Sequence, residues 1–410
     1  MRTPVRFVLV SMMLGLAACV AGCIDFPTEV GNVCKRNPPL CGEQSDGGDT
    51  GGTGDGGKPD SGTDGGQPEP EPGRWEERDL MHSARKGHTA TLLSDGKVLV
   101  AGGFNQSTVV ATAEVYDPEK NTWTLVGSMK QVRADHTATL LRDGTVLVAG
   151  GRNANDEATA TSELYDPGSG TWTYVGPMTG ARAVHAAVLL SSGKVLVVGG
   201  GIDGDGGLNS AELYDPGSGT WSEAESMPVA HNAPTATWLD GGTVVVIGGF
   251  KLSGPVFTVE EYSESTGHWT TSGKQSPTPR EDHTATLLPS GRILVAGTSR
   301  NEAPGNSVDI YDPSTRSWAS ANPMLNDHAG HIAALLPSGK VLVAGSSSPS
   351  GPSLSVAEVY DPGTDKWEAA PPMRRARAYH VATPLKSGEV LITGGLSNGS
   401  PTNTVEVYIP

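Results

Sequence analysis

The block His136–Gly151 constrains the fold more than any other stretch, because it recurs. Near-copies begin at His88, His185, His283, His331 and His380, and a degenerate copy begins at Pro234. Other landmarks keep the same phase. Tryptophans stand at 75, 123, 172, 221, 269, 318 and 367, spaced 48 or 49 apart, and tyrosines at 116, 165, 214, 262, 311, 360 and 408. A self-similar period of this length signals a repeat architecture, and seven copies of each landmark mean seven units.

Each unit reads as four short strands, a to d. His136 to Leu141 carries β-branched and small residues, and Asp143-Gly144 is a tight hairpin turn whose glycine supplies positive φ. Val146-Leu147-Val148-Ala149 is a continuous apolar run, as in a strand buried on both faces. A glycine pair, Gly150-Gly151, allows close backbone approach. A third strand, Ser162 to Tyr165, stops at the turn former Asp166-Pro167, and Trp172 marks the fourth. Such a sheet cannot shield its own apolar faces. Seven packed side by side in a ring bury them and leave only short edges.

The landmarks Arg182-x-x-His185, Gly199-Gly200, Glu212-x-Tyr214-Asp215 and Trp221 resemble the kelch motif over residues 75–410. The resemblance implies an all-β, seven-bladed propeller of four-stranded antiparallel blades. Local departures are Pro234 for the histidine and Ser263 for the aspartate in the fourth unit, and Gly297-Thr298 and Gly345-Ser346 for the glycine pair. The phase predicts the closure: the last blade takes strands a to c from 377–410 and strand d from about 74–78.

Three residues before the strand-a position stand Arg85, Arg133, Arg182, His231, Arg280, His328 and Arg377. One reading is a ring of cations at the channel mouth that grips a carboxylate or sugar acid. The other is structural, because residues repeated in every blade do the same work in every blade. The six strand-a histidines fall under the structural reading, and they stand too far apart to share a metal ion. If strand a starts at the top, the d–a and b–c loops share the top face. The b–c loops vary from unit to unit, so Arg152, Asn153, Asp203, Asp205 and Arg300 join the seven cations as candidate ligand-binding residues.

No catalytic motif rises above the repeat. Serine elbow, phosphate loop and metal-spaced cluster are all missing, and no cofactor or metal is expected. Galactose-oxidase chemistry, which the propeller resemblance raises, needs a cysteine crosslinked to a tyrosine, and no cysteine follows Cys41. A net charge of −16 argues against nucleic acid.

The N-terminal part differs in kind. A basic start and the apolar run Phe7 to Ala18 match a secretory signal, with residues 1–18 removed. Leu16-Ala17-Ala18-Cys19 and Val20-Ala21-Gly22-Cys23 both resemble the lipobox of bacterial lipoproteins, so Cys19, or else Cys23, is expected to carry lipid. Cys34 and Cys41 could close a small disulfide loop. Residues 19–73 are rich in Gly, Asp and Pro and read as a disordered tether. Its Asp-Gly pairs lack the ligand spacing of a calcium loop.

The sequence thus describes a lipid-anchored protein of a bacterial outer membrane or cell surface, monomeric and touching the membrane only through its anchor. A propeller at 74–410 binds a protein or glycan through its top-face loops. The alternative is a carbohydrate-active enzyme of the sialic acid mutarotase or lyase kind, working at the channel mouth.

Overall fold

The computed structural model describes residues 73–106, 108–201, 206–298, 305–347 and 353–410. The expected signal segment, the lipidation and disulfide cysteines and nearly all of the tether lie outside them. The described part is all-β, with seven four-stranded antiparallel sheets. In blade 2 the strands are Thr137–Leu140, Val146–Ala149, Ser162–Asp166 and Thr171–Val175, paired in sequence order. Blades 1 and 3 to 6 repeat that order.

Blade 7 is assembled from both ends of the propeller. Val381–Pro384, Val390–Thr393 and Val405–Ile409 supply strands a to c, and Arg74–Arg78 supplies strand d. Trp75 lies opposite Tyr408 in that pairing. Each strand a packs against strand a of the blade on either side, and the strands of blades 1 and 7 close the circle.

The strand-b apolar runs are buried along their whole length. Among the described residues, one hydrophobic cluster fills each of the seven interfaces between neighbouring blades. Between blades 1 and 2 it joins Leu99 and Met129 to Val146, Val148 and Trp172. Between blades 7 and 1 it joins Leu391 and Val407 to Val98, Val100 and Tyr116, so the closing interface is packed like the rest. Fully burying a Val or Leu side chain contributes roughly 1.5–3 kcal/mol, so the runs alone favour the closed ring.

The aromatic columns lock the outer wall. Tyr165 lies opposite Trp172 across strands c and d, with ring centroids 5.0 Å apart. Trp172 Nε1 donates to Gly127 O, on the segment leaving blade 1, at 2.6 Å. Trp75 repeats that bond to Pro371 O at 2.7 Å, which ties the N-terminal strand to the loop leaving blade 6.

The glycine pair serves two blades. A Cβ on Gly150 would sit 2.5 Å from Arg182 O and 2.7 Å from the His185 ring, both of blade 3. One on Gly151 would sit 2.8 Å from Cβ of His136, in its own blade. Gly297 and Gly345 keep the first position, against His331 and His380. At the second, Ser346 turns its hydroxyl to use, accepting from Ala329 N and donating to Asp327 O.

Candidate functional site

The top face holds the d–a and b–c segments, which pair with each other: Lys86 bridges Phe104, Ala134 bridges Arg152, and Asn232 bridges Phe250. Among the described residues, separate two-stranded ribbons extend three of the b–c loops, such as Phe250–Lys251 with Gly254–Pro255. What lies beneath this face decides which residues can meet a ligand.

The repeated cations do not face solvent. Arg85, Arg133, Arg182, Arg280 and Arg377 are all 0 % exposed. Arg133 is typical: Nη1 donates to Gly150 O and Thr161 O, and Nη2 donates to Thr161 Oγ1 at 3.3 Å and Glu163 Oε1 at 2.9 Å. Glu163 also accepts from Lys130 N and Gln131 N. The pair therefore pins the incoming loop to strand c. Glu212 in blade 3 and Glu406 in blade 7 do the same. His231 and His328 are equally buried and bond to Gly248 O and Gly345 O. The expected ring of ligand-gripping cations is therefore corrected to a ring of internal clamps. An Arg whose planar fork meets two carbonyls and a carboxylate inside its own blade has no donor turned outward.

The strand-a histidines are interblade links. His136 Nε2 lies 3.0 Å from Thr89 Oγ1, His185 Nε2 lies 2.9 Å from Thr137 Oγ1, and the same bond joins His283 to Thr235 and His331 to Thr284. The departures in the sequence are matched. Blade 4 has Pro234 in place of the histidine, and blade 3 has Ala186 in place of the threonine. His88 finds Thr393 instead, at 2.9 Å. For His380 the neighbouring blade has Ile332 in place of the threonine, so no such hydroxyl meets its ring. Burial drives the His88, His185 and His283 imidazoles down to about 3, so they are neutral links.

Directly above them lies a ring that sequence reasoning missed. The residues preceding strand a are Gly87, Asp135, Val184, Ala233, Asp282, Gly330 and Tyr379, all left-handed with φ of 51–60°. Asp135 N donates to Gly87 O, Val184 N to Asp135 O, Ala233 N to Val184 O, and Tyr379 N to Gly330 O. These bonds link blades 1 to 4 and blades 6 and 7 at the channel mouth, while the side chains differ. A left-handed β-branched residue such as Val184 is strained, and such strain concentrates at working surfaces.

Side chains divide the mouth into sectors. Tyr379 leans over Gly330, where a Cβ would meet its ring at 2.8 Å, and its hydroxyl donates to Asp282 Oδ2 of blade 5 at 3.3 Å. It therefore straps blades 5 to 7. Tyr379 is 42 % exposed. Opposite, Asp135 leans over Gly87 and lies 3.4 Å from Arg152 Nε. Burial pushes the Asp135 carboxyl up, against the pull of Arg152 and Lys86. Val184 and Ala233 leave a small apolar sector between the two aspartates.

Of the loop candidates, Arg152 reaches this ring through Asp135. Asn153 instead caps its own turn, its Oδ1 accepting from Asn155 N and Glu157 N. Asp203, Asp205 and Arg300 lie outside the described residues. Among the described residues no group of three or more His, Cys, Asp or Glu side chains could hold a metal ion, and no helix is long and apolar enough to cross a membrane.

Comparisons with known proteins agree with the geometry. A family described as the KLHDC2/KLHL20/DRC7 Kelch-repeats domain matches residues 135–345, and the Kelch motif matches residues 85–130 and 341–374. No curated protein sequence matches the chain. Among solved structures, a fungal alcohol oxidase of the AA5 family in complex with copper is similar at TM-score 0.69 and 16 % identity. The match covers 82 % of this chain and 76 % of that one. At that identity the likeness concerns the fold alone.

Proposed function

The chain belongs to the kelch-repeat family, and we propose that its propeller is a binding module that holds a protein partner at the channel mouth of the top face. Kelch propellers commonly serve as protein-interaction modules, and the rest of the reading rests on one observation. At the mouth seven equivalent backbone positions carry five residue types, from Gly87 to Asp135 to Tyr379, while the layer beneath is nearly uniform. Specificity resides where a rigid scaffold presents varied groups. The Tyr379–Asp282 bond and the Asp135–Arg152 pair bracket the apolar Val184–Ala233 sector, so an apolar side chain with polar neighbours fits there.

We further propose that the module is a lipoprotein of the bacterial cell envelope, its acylated Cys19 or Cys23 joined to the propeller by the Gly/Asp/Pro-rich tether. One acyl chain anchors only marginally, so stable attachment takes more than one. Labelled-palmitate incorporation into the chain and into Cys19→Ala and Cys23→Ala variants tests the anchor. Capture from envelope extracts by the wild-type chain and by Tyr379→Ala and Asp282→Asn tests the mouth. Partner loss at an unchanged melting temperature supports the reading, and undiminished capture by both variants refutes it.

A further inference from the structure

Blade 4 departs from the other blades at its internal clamp, and the departure has the shape of a binding site. Its strands are Thr235–Leu239, Thr243–Ile247, Val259–Ser263 and His268–Thr271. In blades 1 to 3 a guanidinium Nη2 bridges a hydroxyl and a carboxylate two residues further on. Arg85 joins Thr112 to Glu114 at 3.4 and 2.7 Å, Arg133 joins Thr161 to Glu163, and Arg182 joins Ser210 to Glu212 at 3.0 and 2.8 Å. Blade 4 keeps both acceptors, as Thr258 and Glu260, but has His231 for the arginine.

The imidazole replaces only half of the fork. His231 Nδ1 donates to Gly248 O at 2.8 Å, the bond that Arg133 Nη1 makes to Gly150 O. The shorter side chain stops there. His231 Nε2 is buried without a partner, and Thr258 Oγ1 and Glu260 Oε1 are buried without a bond of good geometry, although the Thr258 hydroxyl lies close enough to the Glu260 carboxyl to pull against its upward shift. The loop amides do not compensate, because Pro228 stands where Lys130 donates to Glu163 in blade 2 and has no N–H. On its other oxygen Glu260 accepts from Thr271 Oγ1 at 2.7 Å.

Histidine alone does not create this. In blade 6 His328 Nε2 reaches Glu358 Oε1 at 3.1 Å, Leu325 N and Asn326 N donate to the same carboxylate, and Val356 takes the place of the hydroxyl. That clamp is complete without an added group.

We propose that blade 4 binds one small hydrogen-bond donor, of water or ammonium size, between His231 Nε2, Thr258 Oγ1 and Glu260 Oε1, in the role that a guanidinium nitrogen plays in its neighbours. The donor count fits. With Nδ1–H given to Gly248 O, Nε2 is an acceptor, and an ionised Glu260 is a second. A water donates to both and accepts from the Thr258 hydroxyl; an ammonium ion donates to all three and also neutralises the carboxylate. Buried polar groups left unpaired are costly, so the site favours occupancy.

The test uses the full chain and its His231→Arg variant, melted in ammonium chloride and in sodium chloride at equal ionic strength, with high-resolution diffraction of the wild type. A density peak within hydrogen-bond distance of all three atoms is expected. If ammonium alone raises the wild-type melting temperature, and not that of the variant, the donor is ammonium; equal melting in both salts assigns water. His231→Arg, which brings its own nitrogen, is expected to melt about 2–4 °C higher than wild type. Absence of the peak, with Glu260 bonded directly to His231, overturns the proposal, as does a variant that folds but melts lower. Should the variant not fold, Thr258→Val decides: the site predicts a lower melting temperature and a displaced peak, and an unchanged melting temperature with the peak in place overturns it.

Discussion

Blades 2 and 4 share one backbone plan and differ in how their buried polar groups are satisfied. In blade 2 Arg133 and Glu163 answer each other, two carbonyls and two loop amides. In blade 4 a histidine, a proline and a carboxylate replace that set, and burial pushes the Glu260 carboxyl up. A propeller tolerates one loose clamp because its blades are held chiefly by hydrophobic interfaces, and the cluster between blades 3 and 4 stays filled. The difference shows that the repeated charges stabilise the ring rather than serve a ligand.

The largest test breaks the complete clamp. Glu163→Ala strands a buried guanidinium and is expected to cost about 3–5 kcal/mol in denaturant unfolding. Glu260→Ala, whose carboxyl has already lost its cation, is expected to cost far less. Equal losses would erase the distinction between the blades.

Acid provides the next test. The six strand-a histidines are buried with folded pKa values lowered, to about 3 for His88, His185 and His283. Below about 6.5 the unfolded chain takes up protons that the folded chain refuses, so stability rises with pH through this window and falls on acidification. Each histidine contributes about 1.4 kcal/mol per pH unit there. Unfolding followed between neutral pH and pH 4 checks the slope, and His136→Gln is expected to flatten it.

Much of this arrangement was legible beforehand. Trp75, the glycine pairs and the strand-b runs carry their roles in spacing and apolarity, so blade number and ring closure followed from phase. The clamp was legible only as one of two readings, because Arg133 looks the same on a line of text whether it turns out to solvent or into its own blade. The mouth ring was missed because Gly87, Asp135, Val184 and Tyr379 share a backbone conformation and no chemistry. The sign available was negative: variable residues locked one place before an invariant-looking histidine.

Smaller effects sharpen the pairing rule at the interblade link. Thr137→Val removes the hydroxyl bonded to His185 and is expected to cost about 1 kcal/mol by thermal unfolding. Ala186→Thr faces Pro234 and is expected to change little. Ile332→Thr, which offers His380 the hydroxyl it lacks, is expected to gain about 0.5–1 kcal/mol.

A buried, repeated scaffold lies beneath a varied mouth, and reversing the charge of Arg133 tests that separation most directly. The measurement is the melting temperature of Arg133→Glu beside that of Asp282→Asn. A deep loss for Arg133→Glu, with Asp282→Asn melting like wild type, is the predicted result. An Arg133→Glu chain that melts like wild type would contradict the account and return the arginines to the ligand.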